Sequence, residues 1–189
     1  VKRRTAIAAL SMAVLTVWTP AARSADPISV LQAALVPSFD GESWELSADF
    51  LLPLNATLEE AVNRGVVLQF VVEFELRRSR WYWWDEQVAS ATQTHRLAWH
   101  ALTRQYRLLL NGVAESHSSL ADALASLSRL RQWRVMPRER AVAGQTYEAR
   151  LRLRLDTEAL PKSFQFSALT QRNWAPPSEW KRFSLRPAP

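Results

Sequence analysis

The chain has 189 residues with 24 basic and 18 acidic side chains, a formal charge of +6, nearly half of its residues apolar, and no cysteine. That length suits one ordinary domain with a real hydrophobic core. The missing thiols exclude disulfide staples, a zinc-thiolate site, a lipidated cysteine and a cysteine nucleophile.

Lys2, Arg3 and Arg4 precede an apolar run from Ile7 to Trp18, then Pro20 and the small residues Ala22, Ser24 and Ala25. This order of basic, apolar and small residues is that of a secretory signal peptide. It divides the chain into a leader, residues 1–24, and a single domain, residues 25–189, expected in the periplasm after cleavage near Ser24 or Ala25. The apolar run is short for a bilayer of ~30 Å; retention as an anchor is the alternative. Loss of the leader removes four of the 24 basic residues, leaving +2, so the whole-chain charge does not argue for nucleic acid as a partner. Nothing downstream is long and apolar enough to span a membrane.

Ile28–Val36 and the alternating stretch Trp44–Phe50 flank turn residues Phe39-Asp40-Gly41-Glu42, which predicts a β-hairpin. Asn55 or Thr57 caps a two-turn helix over 57–64, with Gly65 just past its end. Strict alternation follows: Val66, Leu68, Phe70, Val72, Phe74 and Leu76 share one face of a long, half-buried strand. It runs into Arg80-Trp81-Tyr82-Trp83-Trp84-Asp85-Glu86, and then into strands over 86–101 and 102–110 ended by the turn Asn111-Gly112. Ser118 or Ser119 caps a second helix carrying Leu120, Ala123, Leu124, Leu127 and Leu130 at helical spacing. Trp133–Val135 is a short strand, and Tyr147–Leu155 alternates without fault, placing Arg150, Arg152 and Arg154 where they can meet Glu73 and Glu75 of a neighbour. Ser163–Leu169 and Trp180–Leu185 are the last strands. The count gives a mainly β chain, an antiparallel immunoglobulin-like β-sandwich with two short helices.

The stretches Val71–Leu76, Arg80–Glu86, Ala101–Leu108 and Tyr147–Asp156, with Leu160-Pro161-Lys162 and Asn173-Trp174, resemble a family of exported proteobacterial proteins known only as a domain of unknown function. The resemblance spans the mature chain. It implies no activity, cofactor or catalytic residue; it does imply genes beside a membrane sensor kinase of the nitrogen-regulation type, hence an envelope protein of that kind as a partner.

No motif for chemistry stands out. His95 and His100 lie five apart in a strand and so on opposite faces, which removes a shared metal. There is no Gly-x-Ser-x-Gly elbow and no His-Glu-x-x-His, and four glycines leave little for a phosphate loop. No cofactor is expected. Paired carboxylates among Asp85, Glu86, Glu73 and Glu75 would suit a cell-envelope glycan hydrolase, against the plainer reading of a solvated strand face and a turn. The aromatic run carries the leading expectation. Alternation prevents Trp81, Tyr82, Trp83 and Trp84 from entering one core together, so the cluster with Arg80, Asp85 and Glu86 is expected to be the contact surface of a non-enzymatic binding or signalling-accessory domain.

Overall fold

The computed structural model describes residues 27–78, 85–162, 164 and 178–188. Among them, nine strands and two α-helices run in the order β1 (Ser29–Pro37), β2 (Ser43–Leu51), α1 (Ala56–Asn63), β3 (Leu68–Arg78), β4 (Glu86–His100), β5 (Gln105–Leu110), β6 (Val113–His117), α2 (Leu120–Leu127), β7 (Arg129–Pro137), β8 (Tyr147–Leu155) and β9 (Lys181–Leu185). The strands form two antiparallel sheets, one ordered β1-β2-β7 and one ordered β6-β5-β4-β3-β8-β9. The mainly β, antiparallel, two-layer architecture with two short helices is therefore the one that alternation and turn chemistry predict.

The longest pairing organises the larger sheet. β3 lies between β4 and β8, with Phe70 opposite His95 on one side and Leu155 on the other, and Phe74 opposite Ala91 and Leu151. Because side chains alternate across a strand, Leu68, Phe70, Val72, Phe74 and Leu76 enter the core with Tyr147, Ala149, Leu151, Leu153 and Leu155. Trp44, Leu46, Ala48 and Phe50 of β2 meet them from the smaller sheet. The outer face of β3 and β8 is wet and charged: Glu73 is opposite Arg152 and Glu75 opposite Arg150. Arg152 also stacks on Trp180, its guanidinium carbon 4.4 Å from the ring centre.

Local chemistry sets the helices. Asn55, not Thr57, caps α1: its side-chain oxygen accepts from the Leu58 N–H at 2.9 Å. Gly65 takes φ +88°, as a left-handed exit requires. Ser119 caps α2 by accepting from the Asp122 N–H at 3.1 Å. Leu130, which spacing places in this helix, belongs to β7 instead. The chain leaves the helix at Ser128, and Leu130 remains buried because β7 turns the same side inward.

Three strands depart from expectation. β7 is nine residues long, not three, since it pairs with β2 along its length. β5 starts at Gln105, after a turn that leaves Leu102 exposed. β6 has no counterpart among the expected strands; Asn111 (φ 47°) and Gly112 (φ 83°) make the two-residue hairpin that returns the chain along β5. Apart from Phe164, the expected strand over 163–169 lies outside the described residues, as do the leader and residues 80–84.

Candidate functional site

The six-stranded sheet is wider than its three-stranded partner, and the overhang shapes the site. β7 ends the smaller sheet, so one of its edges has no strand beside it among the described residues. Facing that edge is the inner side of β4, β5 and β6. A cleft of about 830 Å³ lies between them, lined from the larger sheet by Gln93, His95, Leu110, Val113 and Glu115, and from the other side by Arg129–Arg134 with Ser126 of α2. That volume is in the range of ligand sites.

Register puts Gln93 and His95 on the inner face. They oppose Val72 and Phe70, both core residues, and so point inward with Leu97. His95 is 2% exposed. Among the described residues, neither Nδ1 nor Nε2 of His95, nor Oε1 of Gln93, has a hydrogen-bond partner. An unsatisfied buried polar atom costs about 1–3 kcal/mol, so three of them together are a substantial local destabilisation that only another polar group can relieve. Burial pushes the His95 imidazole down to about 4; at neutral pH it is uncharged, with one nitrogen a donor and the other an acceptor.

The β7 wall is built differently. Between the pairs Leu46–Trp133 and Ala48–Leu130 the register shifts, so that two β7 residues face Ser47 alone. This is a β-bulge. Its second residue, Gln132, adopts φ 49° and donates its N–H to Ser47 Oγ at 3.2 Å. Arg131 is held there by Asp49 at 2.6 Å and by the Ala48 carbonyl at 2.9 Å, and Arg134 by Asp40 at 2.8 Å. Arg129 is exposed and has no ion pair among the described residues. The cleft therefore has a neutral polar floor, apolar flanks in Leu110, Val113 and Leu130, and a cationic wall. Its one carboxylate, Glu115, lies 3.3 Å from His117.

Of the residues singled out from sequence, Arg80, Trp81, Tyr82, Trp83 and Trp84 lie outside the described residues. Asp85 is exposed. Glu86 pairs with Arg78 at the last strand pair before β3 connects to β4. Glu73 is held by Arg152 and Arg154, and Glu75 by Arg77 at 2.8 Å. Glu73, Glu75 and Glu86 form ion pairs away from the cleft, whose lining holds a single carboxylate. His100 bonds to Thr103, and no three potential metal ligands cluster among the described residues.

Sequence reasoning misses Gln93 and His95 as site residues. Their signal is phase: both fall in step with Ala91 and Leu97, at positions where a half-buried strand places apolar side chains.

Residues 25–184 match DUF4390, a domain of unknown function. The chain belongs to that family. No curated protein and no solved structure matches the DUF4390 chain, and no described helix is long and apolar enough to cross a membrane.

Proposed function

We propose that this DUF4390 chain is a non-enzymatic binding domain of the bacterial cell envelope, and that it holds its ligand in the cleft between the two sheets. One observation carries the reading: His95 and Gln93, which line that cleft, carry three buried polar atoms without a partner among the described residues. Buried polar groups in folded proteins are nearly always hydrogen-bonded, so an unsatisfied cluster facing a cavity marks where a polar ligand group belongs.

The finer scaffold reading, immunoglobulin-like, is supported by strand order. The sequences β1-β2-β7 and β9-β8-β3-β4-β5 follow the neighbours A-B-E and G-F-C-C′-C″ of variable-type immunoglobulin domains, with β6 added at the edge. An accessory role beside a membrane sensor kinase, with Arg80–Glu86 as the contact surface, belongs to the same proposal.

Native mass spectrometry of the protein recovered from a bacterial periplasm tests the cleft. A bound species should accompany the wild type and be lost when His95→Leu and Gln93→Leu are combined, with circular dichroism unchanged. Equal retention by both proteins, or no bound species in either, would remove the cleft from consideration.

A further inference from the structure

The cleft does not stop at His95. A second cavity of about 300 Å³ continues between Gln87–Ser90 of β4 and Val135–Pro137 of β7, with Arg140 beside it. β4 ascends from Gln87 to His95 while β7 descends from Pro137 to Arg129, so the two cavities follow one another along a groove between the strands. The groove is as long as β7, nine residues or about 30 Å. A compact ligand would leave most of it unused.

The chemistry of its wall is that of a sheet edge. β7 hydrogen-bonds to β2 on one side only among the described residues, and the row of backbone N–H and C=O groups along a free edge is what an extended chain satisfies. In such an added strand, alternate side chains would face the floor, where neutral His95 and Gln93 wait for a donor and an acceptor. Charge selects further. The two cavities are lined by Arg129, Arg131, Arg134 and Arg140 against one acid, Glu115. Two of these arginines, 131 and 134, already serve Asp49 and Asp40, while Arg129 and Arg140 are exposed and have no ion pair among the described residues.

We propose that the groove takes an extended, acidic peptide segment of a partner protein, laid along β7 as an added strand. This rests on the reading of the cleft as the ligand site and names its occupant.

A phage-displayed library of random 12-residue peptides, panned against the protein, supplies the probes. Selected sequences should be rich in Asp and Glu. Their synthetic copies should shift the backbone amide signals of β7 and of Gln93 and His95 in ¹⁵N spectra, and slow hydrogen exchange in β7. Methylating alternate backbone nitrogens of the peptide should weaken binding at least tenfold, because those N–H groups would bond the β7 edge. Arg129→Glu combined with Arg140→Glu should do the same while the spectrum of the free protein keeps its dispersion.

Peptides that shift Gln93 and His95 but tolerate N-methylation would overturn strand addition and leave the cleft as the site. Selection of basic or uncharged peptides would overturn the acidic assignment. If no peptide is enriched and chitohexaose shifts Gln93 and His95, the occupant is a glycan and only the peptide falls. With neither probe perturbing those residues, the cleft reading falls as well.

Discussion

Glu73 on β3 accepts hydrogen bonds from the Nε of both Arg152 and Arg154 on β8, the second at 2.8 Å. Burial alone would raise the Glu73 pKa, but the two hydrogen bonds and the two positive charges outweigh it and hold the carboxyl below its usual value. A group depressed in the folded state binds fewer protons there than in the unfolded chain, so its contribution is complete above the unfolded value of about 4.3 and is lost as pH falls through the folded one. Glu73→Gln is expected to flatten the acid limb of stability below about pH 4.3. A double-mutant cycle with Arg154→Ala should give a coupling of about 0.5–1 kcal/mol, because the pair is only partly screened from water. Urea titrations at pH 7 and pH 3 read both quantities, and an acid limb identical to wild type would contradict the assignment.

His95 predicts acid sensitivity at a higher pH. Its folded pKa of about 4 lies below the unfolded value of about 6.5, so the unfolded chain takes up the proton first. Stability from this group is full above about pH 6.5 and declines until about pH 4, by an amount on the order of 3 kcal/mol. His95→Leu should abolish that decline. It should also leave stability at pH 7 equal or higher by roughly 1 kcal/mol, since it replaces two unsatisfied polar atoms with an apolar group of similar size. The charged groups lining the cleft, Glu115 beside it on the same sheet and Arg129, Arg131 and Arg134 across it, stay in both proteins, so the difference between their pH profiles isolates the imidazole. A wild-type profile flat from pH 7 to pH 4.5 would refute this.

The cap of α1 separates two residues that are equivalent by residue type and position alone. Asn55 makes the capping bond, and Asn55→Ala should cost about 1 kcal/mol. Thr57→Ala, at a partly exposed position of the first turn, should remain within about 0.5 kcal/mol of wild type. Chemical denaturation of the two variants side by side decides between them; a larger loss at Thr57 would mean that the helix begins later.

Much of the larger sheet is legible in the residue pattern. Tyr147–Leu155 alternates apolar and polar residues along its whole length, and β8 buries and exposes them in that order. The arginines expected opposite Glu73 are there. β6 is not legible because Ala114, Glu115, Ser116 and His117 carry no strand-forming pattern; the strand exists through its pairing with β5 after the Asn111-Gly112 turn. Leu130 reads as helical because one leucine looks the same at helical spacing and at an inward strand position. The acidic residues read both as candidate catalysts and as partners of the β8 arginines; strand register pairs Glu73 with Arg152 and Arg154 and Glu86 with Arg78.

The period-2 faces, the helix caps, the turns and the family are all written in the amino-acid order, since each depends on residues close together in the chain and on local steric and hydrogen-bond preferences. The site is a product of the tertiary fold. Gln93 and His95 become exceptional when the wider sheet overhangs the narrower one and brings opposite them the edge of β7 that has no strand partner among the described residues. That juxtaposition depends on long-range strand pairing, and burial without a partner is a property of a residue's surroundings, which no local pattern carries.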